Sequence, residues 1–131
     1  MQNPKISIIV PVSNSADFMH ALTEAIEKER IAQGWNLELL LIDDGSRDAS
    51  YQKIKEYAAI YLSRNFGHQI AVKTGLTHCT GDYVAIIDDD LQDPPALLPG
   101  FFKYLDQGYE VAYGVRKKRK EAFLKRLSYN A

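Results

Sequence analysis

The sequence predicts an α/β fold, three layers deep, with helices on both faces of a mostly parallel sheet. Two observations carry that prediction. Short apolar, β-branched runs alternate with segments of helical apolar spacing along the whole chain, the order that a parallel sheet covered on both faces requires. Each conspicuous polar cluster stands at the carboxyl end of one of the apolar runs, where open α/β sheets bind ligands. Neither repeats nor low-complexity linkers interrupt the pattern, so 1–131 is expected to form one domain.

Ile6-Ser7-Ile8-Ile9-Val10 is a strand-length run that stops at Pro11. Ala16 to Ala32 carries Phe18, Leu22, Ala25 and Ala32 near helical spacing, with Asn14 or Ser15 as cap and Gly34 as terminator. Leu37 to Ile42 reads as a second buried strand, stopped by Asp43-Asp44-Gly45. Ser46 or Asp48 would cap a helix reaching about Tyr57, and Ala59 to Leu62 would form a third strand. The turn Arg64-Asn65-Phe66-Gly67 leads to a helix over His68 to His78, broken by Gly81. Tyr83 to Ile87 is a fourth strand, stopped by Asp88-Asp89-Asp90. Asp93-Pro94-Pro95 starts a further helix, since proline suits a first helical turn. Tyr109 to Val115 closes the series as a fifth strand before a basic stretch.

Composition excludes several classes. At 131 residues, 46% apolar and 25% charged, the chain can bury roughly two-thirds of its unfolded surface. A net charge of −1 supplies no global field for nucleic acid or membrane. Charge is nevertheless uneven, because seven of the eight charged residues from Arg116 to Arg126 are basic. Cys79 stands alone, which excludes a disulfide framework and points to a reducing compartment and an inert thiol. Met1 to Lys5 is polar and no apolar stretch approaches the roughly 18 residues of a spanning helix, so neither a signal peptide nor a membrane span is expected in this piece.

The strand ends carry the chemistry. Three consecutive carboxylates repel, at roughly 3 kcal/mol per close pair for an effective dielectric near 20. Mg²⁺ or Mn²⁺ would neutralise Asp88-Asp89-Asp90 and bridge to phosphate oxygens; a solvated turn that caps the next helix also fits the triplet alone. If the extended backbone persists, Asp88 and Asp90 share one side and Asp89 points away. Asp44 can accept hydrogen bonds from a base or ribose, or serve the turn through Gly45; Ser46 and Asp48 suit capping. Asn65-Phe66-Gly67-His68 precedes a helix amino terminus, a place suited to phosphate, and His68 reads as a structural donor rather than a base. Lys117, Lys118 and Lys120 read as a solvated face, whereas Arg116, directly after the fifth strand, is the best placed of the basic group to meet phosphate or lipid head groups. No GxGxxG, Walker lysine loop or HExxH is present, which argues against a dinucleotide oxidoreductase, a P-loop NTPase and a zinc protease.

Taken in order, the motifs resemble a family-2 glycosyltransferase with the Rossmann-like GT-A fold, of which this chain would be the nucleotide-binding half. Ile8-Ile9-Val10-Pro11-Val12 followed by Asn14 is similar to the opening strand, and Asp43-Asp44-Gly45-Ser46-Arg47-Asp48 to the nucleotide-binding turn. Leu62-Ser63-Arg64-Asn65-Phe66-Gly67-His68-Gln69 and Asp88-Asp89-Asp90-Leu91-Gln92-Asp93-Pro94-Pro95 resemble the branch that uses dolichyl or undecaprenyl phosphates. The resemblance implies that Pro11, Val12 and Asp44 meet the nucleoside. It implies that Asp88, Asp90 and Gln92 hold Mg²⁺ or Mn²⁺ on the donor diphosphate, and that Arg116 serves donor or acceptor phosphates. Ser13 and Ser15 depart from the tyrosine and glutamate common in the family, the link around Tyr57 to Ile60 is short, and family members run well past Ala131.

The implied reaction is inverting transfer of a sugar from a nucleoside-diphosphate sugar, with a polyprenyl phosphate as acceptor. A phosphate acceptor is largely dianionic near neutral pH and needs no general base, and none is assigned. The resemblance places the full-length protein at the cytoplasmic face of the membrane, with no nucleic-acid partner. A shortened domain would expose apolar surface and self-associate as a homo-oligomer. Two other readings remain open. One is a phosphoacceptor receiver-type signalling domain, disfavoured because a complete strand and helix precede Asp43. The other is a nucleotide-binding fragment without catalysis.

Overall fold

The computed structural model describes residues 3–48, 50, 52, 57–116 and the backbone of 124–129. In chain order these form β1 (Lys5–Val12), α1 (Ala16–Gln33), β2 (Asn36–Asp43), β3 (Ala59–Tyr61), α2 (His68–His78), β4 (Tyr83–Ile86), a 3-10 turn (Pro95–Leu97), α3 (Leu98–Asp106), β5 (Val111–Arg116) and β6 (Leu124–Tyr129). The helix expected between Ser46 or Asp48 and Tyr57 falls largely outside the described residues, although Ser50 and Gln52 are helical. Two compact units divide at the 3-10 turn, Gln2–Ala96 and Leu97–Ala131.

The first unit is the predicted parallel sheet, in the order β3-β2-β1-β4. Every residue from Ile6 to Val12 is buried, and alternate residues face opposite sides of a strand, so both faces of β1 are covered. On one face Ile9 joins Leu40, Ile42 and Ala71 of α2, with Ile60, Leu62 and Cys79 packed at the margin. Cys79 is thus half-buried rather than fully so. Each large aliphatic side chain fully buried in this way is worth about 1.5–3 kcal/mol. Gly75 makes the close packing possible: a Cβ there would lie 2.4 Å from Ile9 Cγ2.

Four expectations change locally. β1 does not stop at Pro11 but runs through it to Val12. Its β4 partner register ends at Ile9 opposite Ile86, so the N–H that proline lacks falls where the ladder has already finished. The buried stripe of α1 is Met19, Leu22, Thr23 and Ile26, and Phe18 of the expected set is 42% exposed. Helix α2 spans His68–His78 as expected, but the chain is already extended at Cys79, so Gly81 is not what ends it. Pro95 begins a 3-10 turn, and α3 starts at Leu98 with proline in its first turn.

The second unit holds α3, β5 and β6. The expected fifth strand forms, but it pairs antiparallel with β6, from Val111 opposite Tyr129 to Arg116 opposite Leu124. Dense charge in 116–126 concealed β6, because its pattern reads as a solvated basic face. Lys117, Lys118, Arg119 and Lys120 lie outside the described residues.

At the amino-terminal edge of the sheet, Glu38 ties three chain segments together. Its Oε1 accepts from Ser7 Oγ at 2.8 Å and Thr80 N at 2.9 Å, its Oε2 accepts from Thr80 Oγ1 at 3.0 Å, and Lys5 Nζ stands 3.7 Å away. Burial alone would raise the carboxyl pKa, but the Thr80 and Ser7 hydrogen bonds and the Lys5 charge outweigh it and hold Glu38 below the ordinary glutamate value of 4.5. A depressed carboxylate stabilises the fold above its unfolded pKa, and that contribution is lost as pH falls through the folded value. Glu38→Ala should therefore destabilise the chain by about 2 kcal/mol at neutral pH, with the difference from the parent shrinking below pH 4.5. Urea titrations at several pH values measure it, and a pH-independent difference would contradict the linkage.

Candidate functional site

The parallel sheet brings the carboxyl ends of β1, β2, β3 and β4 to one edge, and the four loops that follow them meet there. A cleft of about 230 Å³ opens between them, lined by Pro11, Val12, Ser13, Asp44, Asn65, Gly67, His68, Asp88 and Asp89. Sequence register explains the convergence. Val12 pairs with Asp43 at the end of β2, the Asp44 N–H donates to Val12 O at 2.8 Å, and the Ile87 N–H donates to Ile9 O at 3.1 Å. Residues just past each strand are therefore neighbours across the edge.

Asp44 is 3% exposed and holds the far wall in place. Its Oδ1 accepts from Phe66 N at 2.8 Å and its Oδ2 from Gly67 N at 3.2 Å. Two backbone donors of the turn ahead of α2 are thus spent on this carboxylate. Each Asp44 oxygen has the capacity to accept a second hydrogen bond, and Asp44 is part of the cleft lining. The Arg64 guanidinium stacks on Phe66, 4.1 Å from the ring centroid. Gly45 adopts φ +67°, and a Cβ there would lie 2.4 Å from both Arg64 C and Asn65 N. The loop after β2 and the loop after β3 are in backbone contact at this point.

The loop after β1 is held from two sides. Asn14, left-handed at φ 51°, donates its N–H to Ser46 Oγ at 3.0 Å and accepts from Arg47 N at 2.7 Å. Ser15 N donates to Ser50 Oγ at 2.8 Å. Asp48 accepts from Ser50 N through Oδ1 and from Ala16 N through Oδ2, so one carboxylate caps α1 and orders the segment after it. Hydrogen bonding from the Ser50 side chain, opposed by burial and aided by the Ser50 and Ala16 N–H groups, keeps the Asp48 pKa low. From the other side, Asp89 Oδ2 accepts from Ser13 N at 3.0 Å and from the Ser15 hydroxyl.

This geometry corrects one expectation. The extended backbone ends at Ile86, and 89–90 form a turn, so the alternation argument for Asp88 and Asp90 does not apply. Asp88 and Asp89 line the cleft, while Asp90 Oδ1 accepts from Gln92 N at 3.2 Å. Between them Leu91 sits at φ 64°, a conformation that costs a non-glycine residue about 1–2 kcal/mol. Of the expected site residues, Pro11, Val12, Asp44 and Asp88 share the cleft; Asp90 and Gln92 stand outside its lining. Arg116 ends β5 in the second unit, and its side chain lies outside the described residues. Among the described residues no three His, Cys, Asp or Glu side chains cluster to form a protein-only metal cage. Mg²⁺ seldom uses such a cage, and takes one or two carboxylates completed by substrate phosphates. The acidic cleft meets that description.

Sequence reasoning missed Ser13, Ser15 and Asp89 as partners. The signal that could have found them is joint: serines at both positions of the first loop and a third carboxylate where two suffice for a metal.

Residues 7–129 match the profile of the family described as Glycosyl transferase family 2. The uncharacterized glycosyltransferase YkcC of Bacillus subtilis is 40% identical over 92% of this chain and 40% of its own length. The undecaprenyl-phosphate 4-deoxy-4-formamido-L-arabinose transferase of Klebsiella pneumoniae is 35% identical over 93% of this chain and 40% of its own length. The chain therefore spans about two-fifths of the curated relatives it matches. Among solved structures, a mannosyltransferase from Pyrobaculum calidifontis in complex with GDP-Man and Mn²⁺ superposes with a TM-score of 0.75 at 23% identity, covering 92% of this chain and 38% of that one. The glucosyl-3-phosphoglycerate synthase of Mycobacterium tuberculosis, in complex with Mn²⁺, UDP and glucosyl-3-phosphoglycerate, superposes with a TM-score of 0.65 at 22% identity, covering 78% and 39%. These last two likenesses concern the fold.

Proposed function

The chain belongs to glycosyl transferase family 2, and on that premise we propose that its cleft binds the nucleoside diphosphate of a sugar donor for transfer to a polyprenyl phosphate. The observation that carries the reading is the meeting of Pro11, Val12, Asp44 and Asp88 in one cleft at the carboxyl edge of the parallel sheet. Pro11 and Val12 offer an apolar wall to a base. Asp44, already anchored by two N–H donors, offers its remaining lone pairs to base or ribose donors. The proposed extent of the nucleotide-binding part of the GT-A domain is 1–131, and the proposed role of Arg116 is to neutralise phosphate.

Electrostatics require a cation. A diphosphate beside Asp88 and Asp89 meets like charge, at about 4 kcal/mol for each unit pair 4 Å apart when the effective dielectric is near 20. Mg²⁺ or Mn²⁺ held by Asp88, Asp90 and Gln92 would offset this repulsion and stabilise charge on the leaving diphosphate. The relative in Klebsiella pneumoniae, whose name specifies undecaprenyl phosphate, supports the choice of acceptor. A phosphate acceptor carries its own nucleophilic oxygen, so the cleft needs no general base. Among the described residues no helix is long and apolar enough to cross a membrane; with a lipid acceptor, the working location is the cytoplasmic membrane face. Family membership replaces the receiver-domain alternative.

Calorimetry with UDP and GDP, with and without Mg²⁺ or Mn²⁺, tests the donor site. Metal-dependent heat with at least one nucleotide is expected, and Asp88→Asn or Asp90→Ala should lower that affinity at least tenfold. Absence of metal-dependent heat across a nucleotide panel would sink the reading. Binding without turnover of any nucleotide sugar would leave a nucleotide-binding fragment.

A further inference from the structure

A second cleft, of about 470 Å³, is lined by both Gly45 and Arg64 of the backbone contact and shares only Asn65 with the first. Its volume falls in the roughly 300–1,000 Å³ range of small-molecule sites, and the donor reading leaves it unused. Arg47 and Arg64 both line it. Neither guanidinium has a carboxylate partner among the described residues. Phe66 holds Arg64 by stacking, which limits the freedom the side chain would lose on binding. The Arg47 backbone is fixed by its bond to Asn14 Oδ1. Ser46 and Ser63 add hydroxyls. Ser46 Oγ already accepts from Asn14 N, so its own proton remains to be donated. The carboxylate in the lining, Asp43, is 4% exposed and accepts from Ser46 N at 3.1 Å, which turns it toward the loop backbone.

Two guanidinium forks with no carboxylate partner among the described residues, in a lining that also carries two serine hydroxyls, match the oxygens of a phosphate group. We propose that this cleft is a phosphate-binding site separate from the donor cleft, for the phosphomonoester of a soluble metabolite or of a lipid headgroup. The half-exposed Tyr61 ring at its rim provides a surface for the organic part of the ligand.

The test titrates the full chain with inorganic phosphate in EDTA, so that no metal can bridge the anion to Asp88, and follows backbone amide shifts. Saturable shifts at Ser46, Arg47, Ser63 and Arg64 are expected. Arg47→Gln and Arg64→Gln should each weaken binding about tenfold, a change of 1.4 kcal/mol, while Asp88→Asn leaves it unchanged. Arg47→Lys, which keeps charge but loses the fork, should fall between. Co-sedimentation with phosphatidic-acid vesicles that both glutamine variants abolish assigns the phosphate to a lipid; saturation by free phosphate without vesicle retention assigns it to a soluble ester. Absence of saturable shifts, or equal loss in Asp88→Asn, overturns the proposal, and neither result bears on the metal-dependent nucleotide heats that test the donor cleft.

Discussion

Gly45→Val is expected to unfold the chain or to cost it more than about 4 kcal/mol, the range of severe core and backbone lesions. Two effects coincide at this residue. Its φ of +67° is disfavoured for any side chain and worst for a β-branched one. Independently, a Cβ would lie 2.4 Å from Arg64 C and Asn65 N. Those are backbone atoms, so no rotamer change relieves the clash, and one loop must move away from the other. Gly45→Ala meets the same obstacle with a smaller side chain and should lose about 3 kcal/mol. Denaturant midpoints and slopes of the two variants measure this. Wild-type stability in Gly45→Ala would mean that the two loops are not in contact in solution. Because Gly45 packs against the loop that carries Asn65 and Gly67 of the cleft, folded Gly45→Ala protein should also bind nucleotide more weakly.

Asp44→Ala is the second large expected effect, and it separates architecture from ligand contact. Removing the carboxylate leaves the Phe66 and Gly67 N–H groups without their acceptor in a part-buried position. Unmet donors of this kind cost about 1–3 kcal/mol each, so a loss of about 3 kcal/mol is expected. Asp44→Asn keeps one acceptor oxygen and should lose about half as much. If Asp44 also touches a nucleoside, the asparagine variant will lose nucleotide affinity beyond what its stability predicts. Thermal unfolding with and without saturating nucleotide separates the two roles: equal ligand-induced stabilisation in parent and Asp44→Asn protein would restrict Asp44 to holding the turn.

The cleft therefore has one side held by hydrogen bonds and a lip next to a strained turn. On one side Asp44 holds the 66–67 turn through two N–H donors, and Arg64 stacks on Phe66 of that turn. Asp88 is exposed at the lip, next to a turn strained at Leu91. Strain of this kind persists where surrounding structure or function demands it. The proposed metal would sit at the lip, on carboxylates that make few bonds of their own.

Alternating strand and helix periods were enough to determine the parallel sheet, because periodicity is a local property, whereas the family came from the resemblance of the motifs at the strand ends. Pro11, Val12, Asp44 and Asp88 could be placed at one edge from sequence order alone, since parallel strands all deliver their ends to the same side. Tertiary structure decided what each group does there. Two functions were open for Asp44, and the approach of the 64–67 loop gives it two backbone donors to accept. Alternation turned Asp89 away from the site, whereas the turn after Ile86 brings it to Ser13 and Ser15. The pairing of β5 with β6 was equally hidden, because an antiparallel partner is chosen by distant residues and leaves no period of its own in a charged segment. Spacing along the chain determines which residues reach an edge; the loops that arrive from elsewhere determine which of their lone pairs and protons are still free.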